Sequence, residues 1–435
     1  MSDSEKRKRP KIEKITLNVV PKDKRKSWLD VSLIQAGVYI CVPSLLLGGM
    51  LVQCMSLSDT IITLGLGYLV SIVITALIGI IGEDLGVPTC VIGMASFGKL
   101  GARVVISSIF AIALIGWFSA QNAVCGSAFA NFLTQMGFDV PLTACTAFWG
   151  IVMLATAVYG IDGLKILNYI AVPALAIIFI IGTMMAINEY GVDALSAPIA
   201  PTMNIFEGVV LCGSFLSVGM TNASDFTRYQ KSRGGVWASS ILGIWVPGFI
   251  LGILGAVLTK LTEENDLSLI LADIGLPILG AAILILATWT TNTTNIYSSG
   301  INLVMLLKLK DDKRALATVV SGIGGTIIAM TGFATFFELF VNTLGILFFP
   351  VGGVFLADYL IIRGNKPENF RYSSTVNWAG VIAWCAGCVL TMLTPAWGLF
   401  AGFFLSAVLY IIIYKVLPCK EVNVIDPLKP INPAE

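Results

Sequence analysis

The sequence predicts an all-α integral membrane protein with twelve transmembrane helices. The first observation behind this prediction is composition: of 435 residues, 56% are hydrophobic and 12% are charged, whereas soluble domains carry about 25% charged residues. The second is a series of long apolar segments, each sufficient to cross a bilayer. The third is the distribution of Lys and Arg, which alternates between connecting loops and indicates an orientation.

The apolar segments each approach or exceed the roughly 20 residues that a helix needs to cross the hydrocarbon core. We place them at residues 31–53, 59–82, 102–132, 141–160, 165–188, 206–227, 236–260, 272–306, 315–334, 337–362, 376–395 and 397–417. The segments at 102–132 and 272–306 are longer than a bilayer requires, so they predict tilted or extended helices.

Basic side chains occur in alternate loops between these segments. Those loops contain Lys99, Arg103, Lys165, Arg228, Lys231, Arg233, Lys308, Lys310, Lys313, Arg314, Arg363, Lys366 and Arg371. The alternate set of loops, such as those at 137–143, 188–204 and 394–398, is nearly free of Lys and Arg, and Lys260 is its one exception. Because cytoplasmic loops are enriched in Lys and Arg, we expect a multi-pass plasma membrane protein with both termini in the cytoplasm.

The predicted organisation has three parts: a basic cytoplasmic segment at 1–30, a transmembrane transporter domain at 31–417 and a cytoplasmic tail at 418–435. A basic run beside a span is typical of a flank that sets topology, so we expect no nucleic-acid partner. The lipid bilayer is the expected surrounding, and nothing in the sequence indicates an obligatory protein partner.

Two segments, five spans apart, carry residues that interrupt helices. The first has Gly37 and Pro43, and proline disrupts the backbone hydrogen-bond ladder. The sixth has two glycines and two serines within 213–219. Broken helices at corresponding positions of two repeats are typical of transport sites, so we predict unwound stretches in both segments. The alternative is close helix packing through small residues.

Polar side chains are concentrated in the third and eighth segments. The run from Thr288 to Ser299 is rich in Thr, Asn and Ser, which is costly against lipid and must face the protein interior or water. Trp117 and Gln121 lie one helical turn apart and share a face. An indole for stacking and an amide for hydrogen bonding suit a flat, uncharged heterocycle.

Ionisable residues are nearly absent from the middle of the predicted spans, and the chain has no His. A proton relay usually needs such groups deep in the membrane, whereas hydroxyl and carbonyl oxygens bind hard cations. We therefore expect sodium to bind where Thr290 and Thr291 face carbonyls of the broken first span, with proton coupling as the alternative. A P-loop and catalytic clusters are missing from the sequence, so we expect a transporter, or a facilitative channel, and not an enzyme.

Four motifs resemble the nucleobase–cation symporters, and most closely the bacterial cytosine permeases. They are Gly213–Gly219 leading to Asp225–Tyr229, Trp289–Asn292 with Tyr297–Gly300, Pro350–Val354 with Ala357–Tyr359, and Gly86–Thr89 with Ser96–Gly98. The resemblance implies the leucine-transporter fold, in which two inverted five-helix repeats are followed by two C-terminal helices. It implies alternating-access symport, with sodium, of a nucleobase such as cytosine or of a related purine, pyrimidine or hydantoin-like heterocycle.

The same resemblance implies a substrate pocket between spans one, three, six and eight. Trp117 and Phe215 would be the two aromatic plates around the heterocycle, and Gln121 the amide of span three. Further contacts would come from Ser214, Ser217, Asn292 and Asn295. The pattern differs from cytosine permeases at Leu114 and at 293–295, both within the implied pocket.

The implied sodium site combines backbone and side-chain oxygens of two spans. It would use the carbonyls of Gly37 and Ile40 from span one. From span eight it would use the carbonyl of Ala287 and the hydroxyls of Thr290 and Thr291.

Overall fold

A computed structural model describes residues 16–262, 277–332, 336–394, 397–417, 421 and 423–424. The helices are α1 (Trp28–Tyr39), α2 (Val42–Cys54), α3 (Leu57–Leu85), α4 (Thr89–Gly101), α5 (Ser107–Gln135), α6 (Leu142–Val158), α7 (Ile161–Tyr190), α8 (Ile205–Thr221), α9 (Ser224–Thr227), α10 (Arg233–Ser240), α11 (Val246–Thr262), α12 (Pro277–Leu306), α13 (Arg314–Met330), α14 (Phe337–Leu356), α15 (Trp378–Leu393) and α16 (Gly398–Val416). Wider π-helical turns at Ala102–Ile106, Ile241–Trp245 and Ala357–Ile362 extend α4, α10 and α14. Two short strands, β1 (Arg371–Tyr372) and β2 (Asn423–Val424), pair antiparallel.

A helix occupies each predicted segment. The predicted ends at 272, 334 and 395 lie outside the described residues, as do residues 1–15 and most of the 418–435 tail. Within the described ranges, seven helices are long and apolar enough to cross a membrane, and the bent pair α1–α2 adds an eighth if it is one span. The count of twelve spans stays a prediction, because α12 is rich in Thr and Asn, and α6, α13 and α15 have 17, 17 and 16 residues.

Local sequence signals fix the starts of helices α1 and α8. Ser27 and Asp30 form a reciprocal capping box at the start of α1, and Asn204 with Glu207 forms another at the start of α8. Each box satisfies two backbone N–H groups that a helix start leaves unpaired.

The predicted break in the first span is confirmed. Helices α1 and α2 meet at an angle of 54°, and between them Ile40 and Cys41 leave helical geometry (φ −80°, ψ 75° and φ −142°, ψ 161°). Pro43 lies in the first turn of α2, where its missing N–H costs nothing. The break exposes backbone oxygens of α1 beside α12.

The predicted unwinding within 213–219 of the sixth span is wrong. Helix α8 runs unbroken from Ile205 to Thr221, and the interruption comes later, at Asn222 and Ala223, before the single turn of α9. The serine hydroxyls bond within the continuous helix, where Ser217 Oγ donates to the carbonyl of Ser214 at 2.8 Å.

The polar run of α12 faces the protein interior, as predicted. From Thr288 to Ser299, every Thr, Asn and Ser is at least 92% buried. Most of the threonine hydroxyls donate to carbonyls one turn earlier in the same helix, such as Thr288 to Leu284 at 2.7 Å and Thr293 to Thr290 at 2.8 Å. The other polar side chains of this run face α1, α5 and a cavity between the helices.

Residues 16–26, here called the N-terminal strap, run across one end of the helix bundle. Thr16, Leu17 and Val20 are buried there. The carboxylate of Asp311, between α12 and α13, accepts from the backbone N–H of Thr16 at 3.0 Å and of Leu17 at 2.5 Å. It also accepts from Asn18 Nδ2 at 2.8 Å. We call this end of the bundle the strap face.

Basic residues of the predicted cytoplasmic loops lie on the strap face. Buried Arg228 donates to the carbonyl of Thr16 and, at 3.0 Å, to Tyr297 Oη of α12. Arg25 of the strap pairs with Glu83 at 3.2 Å, and Arg233 pairs with Asp84 at 2.6 Å. The basic loop after span six and the loop that contains Asp311 therefore share one face with the strap.

Removing the Asp311 carboxylate is expected to release the strap. In Asp311→Ala, the amides of residues 16–18 should exchange hydrogen at least about tenfold faster, because one hydrogen bond to a charged group contributes roughly 1.5–3 kcal/mol. Hydrogen–deuterium exchange of the purified protein measures this. The neighbouring exposed Asp312 is the matched control. Equal exchange in Asp311→Ala and Asp312→Ala would show that the carboxylate does not hold the strap.

Candidate functional site

A cavity lies beside the α1–α2 break, between these helices, α5, α8 and α12. Four of the seven predicted substrate contacts line it: Trp117, Gln121, Phe215 and Asn295. Leu114, the position at which the sequence departs from cytosine permeases, also lines it. The break, the α5 pair and the α12 polar run thus meet at one place.

Trp117 and Phe215 contact each other directly. Their ring centroids are 5.8 Å apart and the planes are inclined by 56°. Phe337 of α14 packs edge-on against both, at 5.7 Å from Trp117 and 6.1 Å from Phe215. A flat ring between two plates needs a gap of about 7 Å, two contacts of about 3.5 Å. The rings of Trp117 and Phe215 must therefore move apart by about 1 Å and become more parallel before a planar ring can fit between them.

Amide groups supply the polar part of the cavity. Gln121 is 2% exposed, and its Oε1 has no hydrogen-bond partner among the described residues. Asn295 lines the same space, and its Nδ2 lies 3.4 Å from Asn292 Oδ1. An amide offers both a donor and an acceptor, and rotation exchanges the two. The amides can therefore bond either to donors or to acceptors on the edge of a planar ring.

The other three predicted substrate contacts do not line the cavity. Ser214 Oγ donates to the carbonyl of Val210 at 3.2 Å, and Ser217 is bonded within α8. Asn292 points to α5 and α6, where its Nδ2 donates to the carbonyl of Phe118 at 3.0 Å and lies 3.4 Å from Met153 Sδ. Because α8 is continuous and α12 packs closely on α5, these side chains bond to the helices themselves.

Hydrogen bonds link four of the five predicted ion ligands beside the break. Three carbonyl oxygens lie within hydrogen-bond distance of Thr291 Oγ1, which has one proton to donate: those of Gly37 at 3.1 Å and Val38 at 3.3 Å in α1, and that of Ala287 at 3.0 Å. Thr290 Oγ1 shares the Ala287 carbonyl, at 2.9 Å. Thr291 thus joins α1 to α12 through a cluster of neutral oxygens.

The fifth predicted ligand, Ile40, is the residue that ends α1. Its N–H donates to Ala36 at 2.7 Å, and its backbone then leaves the helix. Within the described part of the chain, no group of three or more His, Cys, Asp or Glu side chains could hold a metal ion.

Two cavity-lining amides were assigned no role from the sequence. Gln35 of α1 and Asn222, immediately after α8, are 3% and 4% exposed. The side-chain oxygen of each has no hydrogen-bond partner among the described residues. Gln35 is a lone amide within an apolar stretch of α1 and Asn222 lies in a polar stretch after α8, and neither pattern reveals that a side chain faces a cavity.

Comparison with known proteins identifies the family. The model for permeases of cytosine/purines, uracil, thiamine and allantoin matches residues 19–414. Cytosine permease of Escherichia coli strain K12 is 28% identical over 380 residues, covering 85% of this chain and 86% of the relative. Purine-uracil permease NCS1 of Arabidopsis thaliana is 24% identical over 424 residues, covering 85% and 69%.

The fold agrees with that of a solved relative. Mhp1, a nucleobase-cation-symport-1 family transporter in a closed conformation with bromovinylhydantoin bound, superposes with a TM-score of 0.83 at 17% identity, covering 93% of this chain and 96% of that one. At this identity the likeness establishes the architecture alone. With the family match, the chain is a membrane permease and not an enzyme, and it belongs to the nucleobase–cation symporters, the family of permeases for cytosine/purines, uracil, thiamine and allantoin.

Proposed function

We propose that this protein is a symporter that imports a nucleobase such as cytosine, or a related purine, pyrimidine or hydantoin-like heterocycle, together with sodium. The observation that carries the proposal is the pairing of stacking and amide groups in one buried cavity. Trp117 and Phe215 offer aromatic faces, and the buried Oε1 of Gln121 has no partner within the described structure. A planar ring that donates N–H groups would stack on the rings and satisfy that oxygen.

Among the residues that the structure describes, no charged side chain lines the cavity, which fits an uncharged substrate. A buried charge is retained only when it is paired, and the lining offers amides, hydroxyls and aromatic rings. In the proposed complex, Gln121 and Asn295 bond to the edge of the ring, and the tilted Phe337 withdraws as the plates separate. Similarity to a cytosine permease and the hydantoin bound to Mhp1 support this substrate class.

Sodium is the proposed coupling ion, written here as a second substrate. The carbonyls of Gly37, Ile40 and Ala287 and the hydroxyls of Thr290 and Thr291 would bind it, replacing the hydrogen bonds that Thr291 now makes. Neutral oxygen ligands suit a hard cation. An ion at this place would hold α1 against α12 and favour the outward-open form. The coupling cannot exceed the difference in ion affinity between the two states.

The proposed arrangement in the membrane follows the charge pattern. The strap face would be cytoplasmic in the plasma membrane, with the basic segment 1–30 and the tail 418–435 on that side. Residues 31–417 would form twelve spans, of which the first ten make two inverted repeats. The presence of Arg25, Arg228 and Arg233 on the strap face supports this orientation.

A thermal-shift screen of the purified protein in detergent tests the proposal. Cytosine, uracil, adenine, guanine, hypoxanthine, hydantoin and allantoin are compared in sodium and in potassium at equal ionic strength, since a ligand that binds only the folded state raises the melting temperature. We expect one of these compounds to stabilise the protein, and to do so more in sodium. Equal stabilisation in both salts would favour proton coupling. Binding without accumulation against a gradient in liposomes would favour a facilitative channel, and failure of all seven compounds would refute the substrate class.

A further inference from the structure

The cavity extends past the Trp117–Phe215 pair toward the strap face. We infer that this far end is a second binding station for the transported heterocycle, formed by Gln35, Asn222 and Phe226. The inference rests on the proposed function, because it assigns a further step to the same substrate. It adds a place where the ring is held after it leaves the aromatic pair.

The two stations lie at different depths along α8. Phe215 is within the helix, and Asn222 follows its last residue, seven positions further on. Seven residues of helix rise about 10 Å, which exceeds the length of a single six-membered ring. Both residues nevertheless line the same cavity. One substrate molecule at the aromatic pair therefore leaves the far end free.

A tyrosine lies between the two ends. Gly219 lies on α8 between Phe215 and Asn222, and Tyr39 Oη approaches it so closely that a Cβ on Gly219 would overlap the hydroxyl. Both residues line the cavity. Tyr39 is the last residue of α1, immediately before the break. A rotation of this one side chain, or a small movement of α1, would change the width of the passage between the stations.

The far end has the same chemistry as the first station, which consists of the Trp117–Phe215 pair and the amide of Gln121. Phe226 supplies an aromatic wall, supported from behind by Tyr297 with centroids 6.2 Å apart and planes 30° from parallel. Gln35 and Asn222 supply two buried amides, and neither side-chain oxygen has a partner in the described part of the chain. Leaving a buried acceptor unsatisfied is costly. A planar ring with N–H donors, the same class as the proposed substrate, would satisfy both oxygens.

The station has a kinetic consequence. A heterocycle that leaves Gln121 loses its hydrogen bonds before it reaches water, and new bonds to Gln35 and Asn222 compensate for that loss. Apolar replacements of similar size keep the packing but remove the compensation. They should slow passage between the aromatic pair and the strap face while leaving affinity at the aromatic pair nearly unchanged.

The test measures two quantities in Gln35→Met and in Asn222→Leu. One is the affinity for the heterocycle, and the other is the rate at which the heterocycle passes through the protein. The probe is whichever of the seven screened heterocycles stabilises the protein most. Affinity is measured by titration in detergent, and passage by counterflow of the radiolabelled compound in proteoliposomes. We expect affinity within about threefold of the unmodified protein and counterflow slowed about two- to tenfold, the range for one neutral hydrogen bond. Gln35→Asn, which keeps an amide, should recover part of the rate.

Gln121→Met is the matched comparison, because it removes an amide from the first station. It should weaken binding itself. If Gln121→Met weakens binding but both far-end variants exchange substrate at the unmodified rate, the second station is refuted and the proposed function stands. If Gln35→Met weakens binding as much as Gln121→Met, the cavity is one site and the second station is again refuted. If Gln121→Met and Trp117→Ala bind normally, the proposed function itself fails.

Discussion

Replacing Trp117 with alanine is expected to weaken binding of the stabilising heterocycle by roughly 5- to 150-fold. Stacking on an aromatic side chain contributes about 1–3 kcal/mol per base. Trp117 is the largest ring at the cavity, and Phe215, Phe337 and Phe340 surround it at centroid distances of 5.7–5.8 Å. Its removal takes away one of the two stacking rings and also the ring on which Phe215, Phe337 and Phe340 pack.

Titration of the purified variant in detergent measures this effect. Trp117→Phe keeps an aromatic face and should retain most of the affinity. Trp378→Ala is the control for the loss of an indole as such, because Trp378 is 63% exposed and is not among the residues that line the cavity. Unchanged affinity in a folded Trp117→Ala protein would exclude the aromatic pair as the binding site.

Replacing Thr291 with valine is expected to raise the sodium concentration needed for half-maximal stabilisation by at least about tenfold. Valine has nearly the same shape but lacks the hydroxyl, and a contact between a hydroxyl and a charged group contributes roughly 1.5–3 kcal/mol. The same change removes the hydrogen bonds from Thr291 to the carbonyls of Gly37 and Val38. It therefore acts on the ion and on the link between α1 and α12 together.

Thr293→Val separates these effects from the simple loss of a threonine in α12. The Thr293 hydroxyl donates only within its own helix, to the carbonyls of Trp289 at 3.1 Å and Thr290 at 2.8 Å, so its removal should leave the sodium response intact. Melting temperature and uptake are measured against sodium at constant ionic strength, with potassium as the replacement cation. An identical sodium response in Thr291→Val and Thr293→Val would remove the proposed ion site.

The bent first span shows how far local sequence reasoning reaches. Proline within an apolar segment has a strong local effect, and the bend occurs beside it. The glycines of span six, in contrast, do not unwind the helix as predicted. Gly213 faces Phe349 and Gly219 faces Tyr39, so both serve close packing against neighbouring side chains while the helix continues. Glycine permits unwinding and close packing alike, and the neighbours decide between them.

The amino-acid sequence by itself determined the apolar helices, the interior position of the α12 polar run and the break before Pro43. It also identified Trp117, Gln121, Phe215 and Asn295 as cavity residues. These features depend on hydrophobicity, helical periodicity and motif resemblance, which are properties of short segments.

Only the tertiary structure decided which other polar groups face the cavity. Ser214, Ser217 and Asn292 bond to backbone groups of α8 and α5. Gln35 and Asn222 instead reach the cavity with side-chain oxygens that have no partner among the described residues. It also showed the strap bound to Asp311, across nearly 300 positions of sequence. The physical reason is that a side chain's partner depends on which helices pack around it, and that packing joins residues far apart in the chain.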